Sequence, residues 1–291
     1  MINGIDEDVY NYVNEVLDEI EKEFGVKILY AVESGSRGWG FANEDSDYDV
    51  RFIYVRPLED YLSIVEIRDV IDMKDLGKRE YKYDLDFSGW DVKKVLGLHR
   101  KSNSSLREHI VHKMVYRGDT HFLDGLPPFD PVRLKHSYGG MTYSNYKKYV
   151  SSKYTDDFSP RVIKTYCYCI RQILAWILID EEGDVNAPIN IDELLDRFSK
   201  KPYNIGDGIL QDMRDLVEFY KSNCKNNAFN EKQKLRLDEF IKIWLDVMRV
   251  PQGHSRELYD IKIYNERFLR ILLKQDFYRH MEEMELWSKM I

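Results

Sequence analysis

Apolar residues near the start of the chain repeat with two different periods. Between residues 5 and 24 they recur every three or four positions, which predicts an amphipathic helix, and Gly25 follows where such a helix ends. The next segment, 26–33, is almost continuously apolar and predicts a buried strand. A second strand is predicted over residues 47–55. It ends before Pro57, which has no N–H group to continue the ladder of hydrogen bonds. We therefore expect the fold to begin with a helix and two strands.

Two more strands are expected before the pattern changes. Segments 63–70 and 79–87 both contain the apolar and aromatic residues that are typical of strands. Ser88 and Asp91 then have the spacing of a capping box, which predicts that a helix begins there. A further short helix is predicted over residues 105–114. This first part of the chain is accordingly interpreted as a unit of mixed helices and strands.

Helical periodicity replaces the strand patterns after residues 125–128. Helices are predicted over residues 130–154, 161–181, 190–200, 206–222, 230–248 and 255–288. A length of 291 residues also favours two domains, since domains commonly have ~100–200 residues. We predict an α+β fold in which a domain with a mixed sheet (residues 1–125) precedes an all-helical domain (residues 126–291).

Charge and composition narrow the class of protein. The formal net charge of −8 argues against a protein that coats nucleic acid nonspecifically, because that affinity comes mainly from Lys and Arg on phosphates. An acidic site beside a local basic groove is compatible with this charge. The sequence has no run of about 18 apolar residues, so no membrane span is expected. An N-terminus without signal-peptide features and only three cysteines predict a cytoplasmic protein.

A glycine-rich segment separates the first two predicted strands. It contains Gly35, Gly38 and Gly40, with Ser36 among them. Glycines permit positive φ values and let backbone N–H groups come close to an anion, and the Ser36 hydroxyl adds a donor. A glycine cluster between strands is usually a plain loop, so its interpretation depends on the residues at the start of the second strand.

Ten residues separate Ser36 from Asp47, the first of two acids at the start of the second strand. Residues two apart in a strand share a face, so the Asp47 and Asp49 carboxylates project together and repel each other. A divalent cation would relieve this repulsion, and oxygen ligands suit Mg²⁺ or Mn²⁺. A third carboxylate is expected from a neighbouring strand. We prefer Asp86, which lies nearer the strand end, and keep Asp84 on the same face as the alternative.

The loop and the acid pair together resemble a known enzyme superfamily. Gly35-Ser36, the ten-residue gap and Asp47-x-Asp49 are similar to the motif of the DNA polymerase beta superfamily of nucleotidyltransferases. The longer string over residues 34–54 resembles the RNA ligase-associated polymerases, a branch linked to RNA repair. Later strings that fit this branch are 86–94, 101–103 and 170–176.

The resemblance implies a mixed-sheet catalytic domain and a role for each residue of the motif. Asp47 and Asp49 would bind both metal ions, and the third acid, Asp86, would bind metal and activate the acceptor hydroxyl. Gly35 and Ser36 would hold the terminal phosphates of the incoming nucleotide. The implied reaction transfers a nucleoside monophosphate from an NTP to a hydroxyl and releases pyrophosphate.

Basic residues near the motif have more than one interpretation. Arg37 and Arg51 flank it, and either could contact phosphate or balance the aspartates. Lys164 and Arg171 lie seven residues apart on one face of a predicted helix, where they could bind a triphosphate or form an ordinary solvated face. We predict that Arg37 and Lys164 bind the nucleotide.

Several aromatic residues and histidines are interpreted as structural. Trp39 and Phe41 could stack a base, but aromatic residues beside glycines more often anchor a loop in the core. A tyrosine-rich, partly basic stretch could stack the bases of a single strand, although core packing is the favoured interpretation. The stretch consists of Tyr138, Tyr143, Tyr146, Lys147, Lys148, Tyr149 and Tyr154. His109 and His112 have no companions that would complete a zinc site and are predicted to be structural.

The acceptor is not specified by these motifs. From the branch resemblance we expect an RNA 3′ end, in repair or tailing, and the acidic net charge leaves room for a protein partner that delivers the RNA. One alternative is transfer to a protein side chain, as in AMP-transferring antitoxins, or to a small molecule such as an aminoglycoside. Another is a non-catalytic nucleotide-binding sensor, which the presence of Asp47, Asp49 and Asp86 disfavours.

Overall fold

The first helix begins and ends as its sequence predicts. A computed structural model describes residues 1–77, 79–149, 158–201, 205–206, 208–249 and 258–290, and their side chains except those of Tyr149 and residues 276–290. Helix α1 (Glu7–Phe24) is capped by the Asp6 carboxylate, which accepts backbone N–H groups of the first turn. Gly25 ends it with φ 60°, a left-handed conformation that glycine adopts without strain.

Five strands form one mixed sheet within the described residues. They are β1 (Lys27–Glu33), β2 (Tyr48–Val55), β3 (Val70–Asp72), β4 (Leu85–Asp91) and β5 (Val115–Gly118). Their order is β3-β4-β2-β1-β5, and a one-turn helix, α2 (Gly35–Gly38), follows β1. β2 runs parallel to β4, whereas the other neighbouring pairs are antiparallel. Because β2 and β4 are parallel, their first residues lie side by side at the same end of the sheet.

The strand predicted over residues 63–70 is wrong. A short helix, α3 (Leu58–Tyr61), comes first, and irregular backbone continues to the start of β3 at Val70. The apolar residues that suggested a strand face solvent, and Ile64 among them is fully exposed. Apolar residues alone do not make a strand where the sheet offers no partner to pair with.

The strand predicted over residues 79–87 is displaced toward the C-terminus. β4 pairs with β2 from Leu85, opposite Tyr48, and continues to Asp91. Ser88 therefore lies inside the strand and does not cap a helix. The following helix, α4 (Val92–Arg100), is capped by Asp91, whose carboxylate accepts the Lys93 N–H at 2.8 Å.

The helix predicted over residues 105–114 is shorter than expected. It forms α5 (Ser104–Ile110), which begins after the Asn103 cap. Its predicted last turn is replaced by backbone that leads into β5, an edge strand paired with β1. A strand of four residues is too short for its side chains to reveal a period.

The predicted helices of the second half are confirmed. They are α6 (Pro131–Tyr149), α7 (Pro160–Glu182), α8 (Ile191–Lys200), α9 (Ile209–Lys221), α10 (Glu231–Arg249) and α11 (Ile261–Met290). The predicted helical residues 150–154 and 255–257 lie outside the described residues. Among the described helices, α7 alone has the length and hydropathy of a membrane span, but 89% of that stretch is buried inside the molecule. α7 is therefore placed as the core helix of a soluble protein would be.

Among the residues that the structure describes, three hydrophobic clusters hold these elements together. α1 covers one face of the sheet, and α4, α5 and α11 cover the other. Helices α6 to α10 build a separate core around α7. The α+β fold with a mixed sheet and a helical region is confirmed. The exact boundary at residue 125 stays a prediction, because α11 returns to the sheet and packs against α4.

Candidate active site

The glycine loop is packed directly against one of the predicted metal ligands. Gly35 has φ +59°, and a Cβ at this position would come within 1.7 Å of Asp49 Oδ2. The backbone N–H of Ser34 donates to the Asp49 carbonyl at 2.8 Å, which joins the loop to β2. Glycine is required here both by the backbone conformation and by the close approach of the carboxylate.

Ser36 lies at the centre of this loop with its side chain fully buried. Its Oγ has no hydrogen-bond partner among the described residues. Buried hydroxyls normally find a partner in the protein or in a bound molecule. Ser36 therefore suits the sequence-based prediction that it donates to a phosphate oxygen.

Two of the three predicted carboxylates are neighbours across the parallel strands. Asp49 on β2 pairs in register with Asp86 on β4, whereas Asp84 precedes β4 and is exposed. Nη2 of Arg51 contacts Asp49 Oδ1 at 2.5 Å and Asp86 Oδ2 at 2.7 Å. Asp47 lies two residues before Asp49, just outside β2. Asp84 lies one step before this register, where its carbonyl accepts the Tyr48 N–H at 2.9 Å. The register thus sets Asp86, rather than Asp84, opposite Asp49.

The carboxylates of this group influence one another. Burial raises the pKa of Asp49, and the negative charges of Asp47 and Asp86 raise it further. The positive charges of Arg51 and Lys164 act in the opposite direction. A half-buried acid with two acidic neighbours is favourable for binding a cation.

The carboxylates have the chemistry of a metal site but not its assembled geometry. No set of three His, Cys, Asp or Glu side chains in the described parts of the chain has an arrangement that could hold a metal ion. The guanidinium of Arg51 bridges two of the predicted ligands. The ligand chemistry itself fits, since carboxylate oxygens are what Mg²⁺ and Mn²⁺ prefer. A cation bound by both carboxylates would compete with Arg51.

Arg37 holds the backbone that precedes the acid pair. Its Nε donates to the Asp47 carbonyl at 3.0 Å, and its Nη2 donates to the Ser46 carbonyl at 2.6 Å. The guanidinium also lies 3.8 Å from the centre of the Tyr48 ring. These contacts give Arg37 a role in positioning Asp47, and its contact with the nucleotide stays a prediction.

Lys164 and Arg171 on α7 have different environments despite their shared helix face. Lys164 is half-buried, and its positive charge acts to lower the pKa of Asp49. Arg171 is fully buried and makes a bidentate ion pair with Glu108 of α5, at 2.8 and 3.0 Å. Arg171 is therefore neither on a solvated face nor directed at the predicted phosphates. Nucleotide binding by Lys164 stays a prediction that its position favours.

The aromatic residues after the loop anchor it to the helical core. The Trp39 ring lies 4.5 Å from the Arg171 guanidinium and packs edge-on against Tyr168, with ring centres 5.1 Å apart. Phe41 is fully buried in the same cluster. The Trp39 carbonyl accepts the Ile191 N–H at 2.8 Å, which ties the loop to α8. These contacts favour the interpretation that Trp39 and Phe41 anchor the loop in the core.

Glu33 and Tyr116 were not anticipated from the sequence. Glu33 ends β1 with its side chain fully buried; its carboxylate accepts the Asp49 N–H at 3.1 Å and the Tyr116 hydroxyl at 2.7 Å. Burial raises the pKa of Glu33 to about 7, although both hydrogen bonds oppose the shift. The sequence did contain one sign of Glu33, since it is an acid at the end of an otherwise largely apolar strand. Tyr116 belongs to β5, which the sequence pattern did not reveal.

The two histidines that were predicted to be structural contact different parts of the fold. His112 lies beneath the glycine loop, and a Cβ on Gly38 would come within 1.9 Å of His112 Nε2. Burial, with nearby Arg171, lowers the pKa of His112 to about 4, so its ring is neutral at pH 7. His109 packs against Trp90, with ring centres 4.8 Å apart. Neither belongs to a metal-binding group in the described residues.

Comparisons with known proteins agree with this motif. The family model RlaP, described as the RNA repair pathway DNA polymerase beta family, matches residues 9–258. The chain is 39% identical over 192 residues to the uncharacterized protein YcgL of Bacillus subtilis (strain 168), which covers 64% of this chain and 68% of that protein. The family match includes the glycine loop, the paired aspartates and the helical core. The chain therefore belongs to the RNA repair pathway DNA polymerase beta family, a family of nucleotidyltransferases.

Proposed function

We propose that this protein transfers a nucleoside monophosphate from an NTP to the 3′ hydroxyl of an RNA, in repair or tailing. The observation that carries the proposal is the register of Asp49 and Asp86 beside a glycine loop whose Ser36 hydroxyl has no partner among the described residues. Family membership supports the class of reaction. The RNA acceptor is supported by the family's description and not by a contact in the site.

We propose that Asp47, Asp49 and Asp86 hold Mg²⁺ or Mn²⁺ during the reaction. Bound metal would neutralise negative charge on the triphosphate and lower the pKa of the attacking hydroxyl. Arg51 now neutralises two of these carboxylates, so its guanidinium must move away when a cation binds. A released Arg51 would remain beside the phosphates as a further positive charge.

Residues of the chain would bind the phosphates and accept the proton. Backbone N–H groups of the loop and the Ser36 hydroxyl would bind the terminal phosphates, with Lys164 opposite them. Asp86 would accept the proton of the 3′ hydroxyl. The 3′ oxygen then forms a bond to the α-phosphorus, and the bond between that phosphorus and the bridging oxygen breaks. Pyrophosphate leaves with the bonding electron pair.

A transfer assay with α-labelled NTP tests this proposal directly. Label should move to the RNA 3′ end in the presence of Mg²⁺ or Mn²⁺, and Asp47→Ala should abolish the transfer while the protein stays folded. Asp86→Asn should reduce transfer by at least about a hundredfold, in line with loss of a general base. Asp84→Asn is the matched control, because Asp84 lies two residues away but outside the site, and should remain active. Undiminished transfer by Asp47→Ala would contradict the assignment.

The same assay separates the alternatives for the acceptor. Labelled NTP is incubated with separate pools of RNA, protein and small molecules. Label in protein alone would replace the RNA proposal with modification of a side chain, and label in an aminoglycoside would indicate a small-molecule substrate. Tight NTP binding without turnover, across metals and acceptors, would indicate a non-catalytic sensor.

We also propose a protein partner that delivers the RNA, and a cytoplasmic location. The net charge of −8 supports the partner, since an acidic chain gains little general affinity for RNA. The free state of Cys167, Cys169 and Cys224 supports a reducing compartment. Co-purification with tagged protein from cytoplasmic extract, with and without ribonuclease, tests both points.

A further inference from the structure

The outer face of α6 is basic on a chain that is acidic overall. None of the 19 residues of α6 is Asp or Glu. The basic residues that are exposed or half-buried on this helix are Arg133, His136, Lys147 and Lys148. Lys135 points the other way: it is buried and pairs with Asp180 of α7. The positive charge is thus concentrated on the side that faces solvent.

A groove lies beside this face, between α6 and α10. Its volume is about 480 Å³, and it is lined by His136, Gly139, Gly140, Tyr143, Met248 and Arg249. The Arg249 guanidinium carbon lies 4.1 Å from the centre of the Tyr143 ring, and the Lys147 ammonium lies 5.8 Å from it. We call the lining residues together with Lys147 the α6 groove.

Within the α6 groove, Arg249 has an acidic neighbour. Asp246 lies 3.7 Å from Arg249, and the two side chains are 80% and 54% exposed. Ion pairs between such exposed groups contribute little in water. Arg249 therefore keeps most of its attraction for another anion.

The basic end of α6 is level with the candidate active site. The helices α6 and α7 run in opposite directions, because Lys135 pairs with Asp180 and Thr142 donates to Gln172. Lys147, near the end of α6, therefore lies at the level of the start of α7. Lys164, whose charge acts on Asp49, is in that same part of α7.

We propose that the α6 groove binds the single-stranded part of the acceptor RNA behind its 3′ end. Lys147 and Arg249 would contact phosphates, and a base would stack on the Tyr143–Arg249 pair, as aromatic rings and guanidinium planes do in RNA-binding proteins. This inference rests on the proposed RNA acceptor and adds where the rest of that acceptor lies. It explains how an acidic chain could bind RNA through one local surface.

Binding measurements test the groove itself. The probe is a fluorescent, unstructured RNA longer than α6, which spans about 28 Å at 1.5 Å per residue. The variant Lys147→Gln/Arg249→Gln should bind more weakly, and the slope of log K against log salt should become shallower by about 1.4, or 0.7 for each lost phosphate contact. Tyr143→Ala should weaken binding roughly tenfold with little change in slope.

A matched control removes the same charge elsewhere. Lys74→Gln/Lys200→Gln eliminates two exposed lysines that lie outside α6 and α10, and should leave affinity and slope unchanged. An equal effect of both double variants would overturn the proposal, since it would reflect overall charge. Unchanged RNA binding in the groove variant, together with loss of an acidic protein partner, would also overturn it.

Acceptor length separates failure of this proposal from failure of the proposed function. With the long RNA, the groove variant should raise KM roughly tenfold and leave kcat unchanged, whereas transfer to a dinucleotide should be unaffected. If the wild-type protein labels RNA and the variant shows the same KM as the wild type for both acceptors, only the groove is wrong. If the wild-type protein labels no RNA and does not bind the probe, the RNA acceptor itself is wrong.

Discussion

Asp49 is held through its backbone as well as through its side chain. Its carbonyl accepts the Ser34 N–H at 2.8 Å, and its own N–H donates to the Glu33 carboxylate at 3.1 Å. Its carboxylate contacts Arg51 and lies against the Gly35 backbone. The position of the Asp49 carboxylate thus depends on residues outside the predicted metal set.

Gly35→Ala should abolish nucleotidyl transfer. The new Cβ would collide with the Asp49 carboxylate, 1.7 Å away, in addition to the cost of about 1–2 kcal/mol for a left-handed alanine. Transfer of labelled NMP and the urea unfolding midpoint should both fall.

Gly25→Ala is the control for the backbone cost. Gly25 has φ +60°, close to the +59° of Gly35, but its Cβ would meet no atom within 4 Å. This variant should lose about 1–2 kcal/mol of stability and keep its activity. Equal activity of the two variants would contradict a role for the close contact at Gly35.

Glu33 should make stability depend on pH near neutrality. Its pKa is about 7 in the folded protein against an ordinary value of 4.5, so the folded state binds this proton more tightly than the unfolded state. The resulting stabilisation is complete below pH 4.5 and is lost as pH rises through about 7. The full difference corresponds to about 3 kcal/mol.

Glu33→Gln measures that contribution. Glutamine has nearly the same shape as glutamate and cannot ionise. The unfolding free energy of the Glu33→Gln variant should therefore fall less than that of the wild-type protein between pH 5 and pH 8. The comparison uses urea denaturation of metal-free protein. Identical pH profiles for the two proteins would mean that Glu33 does not titrate in this range.

At the scale of elements, a buried ion pair joins α5 to α7 beneath the glycine loop. Arg171→Ala would leave the buried Glu108 carboxylate without its partner and should cost about 3–5 kcal/mol. Because the Trp39 ring also rests on Arg171, transfer should fall in parallel. Urea denaturation and the label-transfer assay measure the two effects.

A double variant separates the charge from the packing. Arg171→Met/Glu108→Leu removes both charges and should recover most of the stability lost in Arg171→Ala, since paired apolar residues can replace a buried ion pair. A double variant as unstable as the single one would show that packing, and not the unpaired carboxylate, dominates.

The same substitution, isoleucine to aspartate, at one position in the irregular segment before β3 and at one position within β3 tests whether that segment is a strand. Ile64 is fully exposed, whereas Ile71 in β3 is 2% exposed. Ile64→Asp should change the unfolding free energy by no more than about 0.5 kcal/mol. Ile71→Asp should cost at least about 3 kcal/mol, because it buries an unpaired charge. A large loss at Ile64 would instead support the strand that the sequence pattern predicted.

At the scale of the whole molecule, α11 joins the C-terminal end of the chain to the sheet. Tyr264, Ile271 and Leu272 are buried against the α4 side, and the Tyr264 hydroxyl lies 3.1 Å from His99 Nδ1. Ending the chain after residue 260 should lower the unfolding free energy by roughly 5 kcal/mol, from about 1.5–3 kcal/mol for each buried side chain. Amide hydrogens of α4 should then exchange faster.

A second truncation controls for the loss of chain length. Ending the chain after residue 275 keeps these three side chains and should preserve the protection of α4. Equal exchange in the two truncated proteins would mean that the sheet region is stable without α11. That result would favour a domain boundary near residue 125.

The helices and the motif of glycine loop and paired aspartates could be predicted because their information is local. The apolar period of α1 and the cap at Gly25 lie within one segment, and Gly35 to Asp49 lie within one loop and its flanking strands. Strands were harder to predict, since Ile64 belongs to an apolar run that no neighbouring strand pairs with. β5 was missed for the related reason that only its pairing with β1 defines it.

By itself the sequence determined the family, the helices of the second half and the two acids at the start of β2. Tertiary structure decided which later acid lies opposite Asp49, because the register of β2 and β4 sets Asp86, and not Asp84, at that position. It also decided that Arg171 pairs with Glu108, 63 positions earlier in the chain. Side-chain spacing reports which face of an element a residue occupies, whereas the partner across that face depends on how distant segments pack.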